Sequence, residues 1–490
     1  MGPSPFGADG RLVSPAGLEP PDLLRDDGAT LARRLRDREI SSVELVSACL
    51  DRIEALNPTY NAVVSLRPRG EILAEAERAD AALAEGRAAG ALHGLPIAIK
   101  DLAATAELRT TWGSPLFADH VPAADDLHVA RIRAAGAIIV GKTNVPEYGL
   151  GSHTYNPVFG PTRNAYRPDL SAGGSSGGAA VALALGMLPI ADGSDFGGSL
   201  RNPGAWNNVF GFRPSQGRVP NVPAPDPFYG QLATNGPMGR SVADLATLLT
   251  VMSGPDERAP LSLPDEPEPF EADLALRRTP RIAWLGDLDG HLPFEPGILD
   301  VCSAALRERE SAGWAVEPVS VPFPPADLWR SFVALRHWAV SGRFGDVYRD
   351  ASRRALLKPE MAWEIEGGLA LDADALSTAA KVRGACYEAF LTMFRRYDAL
   401  ALPSAQVWPF PVEWTWPREI AGTRMDTYHR WMEVVVPGTM SGCPVVNVPA
   451  GFDGADRPMG VQLIGRPRAD RELLRIAAAY ERTGRTHGAD

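Results

Sequence analysis

Apolar positions recur at helical spacing near the start of the chain and then give way to short apolar runs between turns. Across residues 29–56, Leu31, Leu35, Ile40, Val43, Leu45, Val46, Leu50 and Ile53 return at three-to-four spacing, which predicts helix. Ser41 followed by Glu44 marks a fresh N-terminus, the serine as cap and the glutamate closing a capping box. A second amphipathic helix is expected over roughly 70–89. Leu95-Pro96-Ile97-Ala98-Ile99 and Ala137-Ile138-Ile139-Val140 read as buried strands, the second after a helix that ends at Gly136. Strand-like segments return at 445–448 and 460–464, and a helix is expected around 471–483. Helices alternating with buried strands predict an α/β fold.

Composition narrows the class. With 45% hydrophobic and 22% charged residues, the 490-residue chain reads as an ordinary globular protein with a large core. A net charge of −11 argues against a general nucleic-acid binder and against a protein held on anionic membranes, since both need basic surfaces. No basic segment precedes an apolar core at the N-terminus, and the longest apolar run, 177–191, is short and broken by Pro189. The expectation is a cytoplasmic protein with no membrane partner. Cys49, Cys302, Cys386 and Cys443 are scattered without metal-type spacing, so buried thiols are expected and no metal or cofactor is called for. Residues 1–28, rich in Pro and Gly, read as a loose arm ahead of one domain spanning 29–485. The Pro- and acid-rich stretch 253–280 reads as a surface excursion within it.

Candidate chemistry sits in two glycine–serine runs, Gly173-Gly174-Ser175-Ser176-Gly177-Gly178 and Gly197-Gly198-Ser199. Taken singly, such runs are most often turns or linkers. A serine hydroxyl attacks a carbonyl only when a base takes its proton, and none of the eight histidines lies in or beside these runs. His153, the nearest, sits in a turn-rich stretch and reads as structural more readily than catalytic. Lysine is the other base available. Only Lys100, Lys142, Lys358 and Lys381 occur among 49 basic residues, and Lys100 ends the apolar strand at 95–99. Burial there can lower a lysine pKa by the roughly 3 units needed for neutrality near pH 7. Phe196, Gly197, Gly198 and Ser199 offer consecutive N–H groups as a nest for an oxyanion, and Asp192, Ser194 and Asp195 are placed to anchor that loop. Phosphate binding by the first run is the rival, but neither GxxxxGK[ST] nor a GxGxxG after a strand is present.

These runs stand in a larger ordered set: Gly94-Leu95-Pro96-Ile97-Ala98-Ile99-Lys100-Asp101, Gly141-Lys142-Thr143-Asn144, Gly193-Ser194-Asp195-Phe196-Gly197-Gly198-Ser199-Leu200-Arg201, Gly211-Phe212-Arg213-Pro214 and Gly236-Pro237-Met238-Gly239-Arg240-Ser241. Lys100 precedes Ser175 by 75 residues and Ser175 precedes Ser199 by 24. The set resembles the amidase signature family over roughly 30–485. The resemblance implies one α/β domain with a mixed, twisted central sheet covered by helices on both faces, its catalytic core at about 90–250 and its pocket-lining segments within 310–450. It implies a Ser–Ser–Lys triad: Ser199 the nucleophile, Ser175 the bridging serine after a cis Gly174–Ser175 bond, Lys100 the base, and the N–H groups of residues 196–199 the oxyanion hole. Ser176 and Ser152 would support the loop, and Gly149, Leu150, Gly151 and Ser176 would contact substrate, the Gly149 carbonyl receiving the amide N–H. Ser194 and Phe196 depart from the family's usual threonine and smaller residue, so Phe196 is expected to narrow or reshape the oxyanion loop.

The family's implied partners are a small amide and water, with a homodimer admitted, no cofactor and no metal. Its substrates include fatty, aryl and peptide amides, carbamates and, in one branch, the glutamine of a tRNA-dependent amidotransferase. That branch carries an SSLDQ segment which the stretch 229–235 here lacks. Trp408, Trp414, Trp416 and Trp431 gather with Phe410, Tyr428 and Met432, as core filling or as the wall of an apolar pocket, for which Trp414 and Trp431 are the candidates. The expectation is an amidase for hydrophobic or aryl amides, with ester and carbamate carbonyls also within its chemistry. The alternatives are the glutaminase component of that amidotransferase and a non-enzymatic binding protein on the same fold.

Overall fold

The computed structural model describes residues 3–87, 90–229 and 232–487. Among the described residues, thirteen strands and the helices between them form a single α/β domain. The strands are β1 (Val63–Val64), β2 (Pro96–Lys100), β3 (Ile138–Thr143), β4 (Ile190–Asp195), β5 (Phe210–Arg213), β6 (Thr234–Gly239), β7 (Arg281–Trp284), β8 (Ala315–Pro318), β9 (Ala399–Pro403), β10 (Glu419–Ile420), β11 (Thr423–Arg424), β12 (Val445–Phe452) and β13 (Pro458–Gly465). Eight of them form the central sheet in the order β4-β6-β5-β12-β13-β9-β7-β8. Its pairings are antiparallel from β4 to β9 and parallel at β9-β7-β8, so the sheet is mixed. A smaller sheet, β1-β3-β2, stands beside β4, and β10 and β11 pair as a short antiparallel hairpin.

The β2 and β3 positions are buried throughout, as parallel strands covered on both faces must be. Helix Val242–Met252 packs on β6, and helices Ile298–Arg307 and Asp470–His487 pack on β12 and β13. Near the N-terminus the apolar pattern divides into helices Gly28–Arg36 and Ser42–Tyr60. Ser41 caps the second by accepting the Glu44 N–H at 3.0 Å, but the capping box stays half-made. Glu44 is exposed and makes no bond back to the Ser41 N–H, while Asp80 accepts the N–H groups of Ser42 and Val43. The next helix, Arg69–Ala84, is shorter than its pattern suggested, and residues 88 and 89 of that expected stretch lie outside the described residues.

The described part of the arm, residues 3–28, packs on the domain. Phe6 and Leu24 are buried, and the Pro5 and Leu24 carbonyls accept from Asn208 and Arg240. All four cysteines are free and buried. Among the described residues no helix is long and apolar enough to cross a membrane.

Candidate active site

Lys100 is the last residue of β2, and only 1% of it is exposed. Asp192 of β4 accepts its backbone N–H at 2.8 Å and so locks the smaller sheet to the large one at this point. Its Nζ reaches Ser175 Oγ and Ser176 Oγ, both at 2.8 Å, Ser194 Oγ at 3.0 Å and the Ser194 carbonyl at 3.1 Å. Among the described residues no carboxylate pairs with Nζ. Burial therefore dominates over the more distant Asp192 and Asp195 and brings its pKa down to about 7. A neutral amine has two hydrogens and one lone pair. The Ser194 carbonyl can only accept, so it takes one hydrogen, while the Ser176 hydroxyl has a second acceptor in that same carbonyl at 3.4 Å. Of the two hydroxyls that remain, Ser175 at 2.8 Å is closer to the amine than Ser194 at 3.0 Å and is placed to donate to the lone pair.

The segment 173–176 leads into helix Gly177–Ala184, and the Gly174–Ser175 peptide bond is cis. Ser152 donates to the Gly174 carbonyl at 2.5 Å, which is the supporting role the resemblance implied. Gly149 (φ +73°) passes so close that a Cβ on it would lie 3.3 Å from Ser175 Oγ and 2.7 Å from Leu102. Ser199 is 7% exposed, and its carbonyl accepts the Ser176 N–H at 3.3 Å. Its hydroxyl makes no hydrogen bond to a described residue, so Lys100, Ser175 and Ser199 are brought together while the link between the two serine hydroxyls stays open.

The nest after β4 is held by a buried carboxylate. Asp195 accepts the N–H groups of Gly198 at 2.9 Å and Leu200 at 3.1 Å and pairs with Arg201 and Arg213. Arg201 continues to Gln462, Thr439 and the Val435 carbonyl at 2.7–2.8 Å. Burial alone would raise the Asp195 pKa, but the two guanidiniums outweigh it and hold the carboxyl well below the usual carboxylate range. One expectation changes here. The Gly198 N–H points at Asp195, so the donors left for an oxyanion are those of Phe196, Gly197 and Ser199, which have no partner among the described residues. Gly198 (φ +95°) admits no side chain, since a Cβ would overlap Asn202 and meet Val435 at 2.9 Å. The other anchors also differ from expectation: Asp192 holds Lys100, and Ser194 turns its hydroxyl to the amine. Asp195→Asn leaves Arg201 and Arg213 uncompensated in the core. It is expected to lower stability by about 3–5 kcal/mol, read from the denaturation midpoint, and to lower kcat with it.

The remaining candidates separate by burial. Trp431 is buried in the core, stacked on Trp206 at 5.5 Å with its Nε1 donating to the Tyr428 carbonyl. Trp414 lies on the surface, half exposed and stacked on Phe410. The side chains that do close over the oxyanion loop are Phe332 and Met432, 3.3 and 3.4 Å from a Cβ placed on Gly197. Phe332 comes from helix Pro325–Arg349, where mixed polarity along the helix hid it. His153 is structural: it meets Ser171 at 2.7 Å and the Val412 carbonyl at 3.0 Å, and burial takes its pKa down to about 4. Lys142 is as buried as Lys100, holding Ala103 and Thr105 with its pKa pushed down to about 8, mainly by burial. Lys358 donates to the Leu150 carbonyl at 3.0 Å, while Lys381 is exposed. No group of three or more metal-ligating side chains occurs among the described residues.

A buried amine of lowered pKa, two serines and a backbone nest define a site equipped for acyl transfer. The comparisons with known proteins agree with that class. The family model described as Amidase matches residues 44–474, and the chain belongs to that family, the amidase signature hydrolases that cleave amide C–N bonds. It is 33% identical to an acylamidase of Rhodococcus erythropolis over 456 residues, 92% of this chain and 94% of the relative. It is 35% identical to a glutamyl-tRNA(Gln) amidotransferase subunit of Thermus thermophilus, over 93% of this chain and 98% of that one. The crystal structure of a bacterial aryl acylamidase of the amidase signature family superposes with a TM-score of 0.88 at 29% identity, covering 95% and 98% of the two chains.

Proposed function

We propose that this amidase hydrolyses hydrophobic or aryl carboxylic amides through an acyl-enzyme on Ser199. The observation that carries the reading is the Lys100 amine 2.8 Å from Ser175 Oγ in a site dry enough to bring its pKa to about 7. Lys100 takes the Ser175 proton as Ser175 takes that of Ser199, and Ser199 Oγ bonds to the amide carbon. The carbonyl electron pair moves to an oxyanion held by the N–H groups of Phe196, Gly197 and Ser199. As the C–N bond breaks, the proton returns through Ser175 to the departing amine. Water then attacks the ester, activated by the same relay, and releases the acid and Ser199.

The apolar side of the proposal rests on Phe196, Phe332 and Met432 around the oxyanion loop and on the cluster of Leu150, Met361, Ile365 and Tyr428 beside the 149–151 turn. Likeness to an acylamidase and an aryl acylamidase supports it. Likeness to the amidotransferase component supports the glutaminase alternative, while the stretch 229–235, of which residues 230 and 231 lie outside the described residues, lacks that branch's segment. A panel of acyl p-nitroanilides, plain anilides, esters, aryl carbamates and glutamine separates the two. Turnover of the anilides with little release of ammonia from glutamine is expected. Activity confined to glutamine or short polar amides would overturn the proposal in favour of the glutaminase.

A further inference from the structure

Helix Pro325–Arg349 lays one face over the oxyanion loop, with Trp329, Phe332 and Arg336 on successive turns. Phe332 covers Gly197, and one turn further the Arg336 guanidinium sits 4.9 Å above the ring of Phe196. Arg336 Nε donates to Glu364 Oε1 at 2.5 Å and one terminal nitrogen, Nη2, donates to the Tyr428 hydroxyl at 2.9 Å. Glu364 is fully buried on helix Pro359–Leu369 and is bound as well by His337 at 2.9 Å and Tyr428 at 2.5 Å. The Tyr428 ring in turn lies 3.7 Å from a Cβ placed on Gly151. Arg336 therefore bridges the two loops that border Ser175 and Ser199.

Its Nη1 is different. It has no hydrogen-bond partner among the described residues, and it is not among the buried polar atoms sealed without one. Arg336 is 4% exposed, so this group looks out through the little surface the residue keeps. Buried guanidiniums have their donors matched by protein or by water, so a pair of N–H groups that reaches the surface beside the oxyanion loop can exchange water for an acceptor that arrives with the ligand. Glu364 already balances the charge. The matching group is then a neutral oxygen, an ether, ester or amide carbonyl, rather than a carboxylate.

We propose that Arg336 is a specificity-determining residue that receives an acceptor oxygen in the acyl portion of the substrate, beyond the scissile carbonyl. The inference rests on the amidase reading above and deepens it: the preferred amides have an otherwise apolar acyl group carrying one such oxygen. The acyl side is indicated because the oxyanion loop grips the acyl carbonyl and Phe196, its first residue, is the one Arg336 covers.

The test uses a linear fatty acyl anilide and its isosteres in which an ether oxygen is moved one methylene at a time along the chain. Because an ether alters intrinsic reactivity, the readout is the kcat/KM ratio of each isostere to the all-carbon anilide, in the wild type divided by the same ratio in a variant. Arg336→Met strands Glu364, so the double variant Arg336→Met/Glu364→Gln is measured beside it to keep the buried site neutral. One oxygen position is expected to be favoured about tenfold in the wild type and to lose that advantage in both variants. Turnover of the all-carbon anilide with no oxygen position favoured, or an advantage that survives in the double variant, overturns the role of Arg336 alone. Absence of wild-type turnover on every anilide overturns the amidase reading proposed above and this inference with it.

Discussion

Ser199→Ala is expected to lower kcat/KM toward anilides by about 10⁴–10⁶-fold while leaving the fold intact, because in the proposed mechanism it removes the atom that forms the acyl-enzyme and little else. The Ser199 hydroxyl makes no hydrogen bond to a described residue, so its loss strands no buried partner, and the N–H of residue 199 stays in place for the oxyanion. Melting temperature should therefore change little. A second readout locates the chemistry. A fluorophosphonate should add to the Ser199-containing peptide of the wild type, seen by mass spectrometry, and should not label Ser199→Ala. Retention of more than about a thousandth of wild-type activity, or labelling at Ser175 in the variant, would move the nucleophile to Ser175. That serine holds the Lys100 amine at 2.8 Å and keeps a little exposed surface, whereas Ser176, at the same distance, keeps none.

Much of this site was legible because its parts are local. A glycine–serine run announces a tight backbone whatever surrounds it, and the strand 95–99 ending in a lysine announces a buried amine. The same locality limits the reading. Scarcity of lysine pointed at Lys100, yet Lys142 is equally buried with its pKa also lowered. What separates them is their partners: Lys142 holds a carbonyl and a threonine, whereas Lys100 faces three serine hydroxyls. Those partners come from segments 75 to 94 residues away. Hydrophobic pattern does not carry such pairings.

The sheet shows the same division. β12 and β13 were readable as strands, but their neighbours β5 and β9 come from far along the chain, and the parallel entry of β7 and β8 leaves no local mark. Aromatic side chains enrich both cores and pockets, so the tryptophan cluster alone does not say which of its members face the site. Trp431 stacks on Trp206, its neighbour Met432 reaches the oxyanion loop, and Phe332 and Arg336 join it from a helix whose polarity pattern is ordinary. The Gly198 N–H illustrates the finest grain. Asp195 was readable as an anchor, but which N–H it would take depends on the turn geometry at φ +95°.

Lys100 gives the sharpest test of mechanism, because its role requires the loss of a proton. With a pKa of about 7, lowered chiefly by burial, the amine is protonated below that pH and a base above it. Wild-type kcat/KM is expected to rise about tenfold per pH unit up to roughly pH 7 and then flatten, reporting the free enzyme. Lys100→Arg keeps the charge permanently, so activity should fall by several orders of magnitude and the inflection should vanish; substantial activity in that variant would rule out a neutral-base mechanism. A guanidinium in so enclosed a site also risks disrupting the packing, so Lys100→Met, close in volume and uncharged, provides the second measurement. It should be as inactive as the arginine variant, and its stability relative to wild type carries its own sign. Between about pH 7 and 10.5 the unfolded wild-type chain binds a proton at Lys100 that the folded chain has released, so wild-type stability gains from rising pH in that window. The methionine variant has no such proton. Its stability relative to wild type should be greatest below pH 7 and decline by about 1.4 kcal/mol per pH unit across the window. A difference that stays flat with pH would mean that Lys100 folds with its charge, leaving Ser175 without a base.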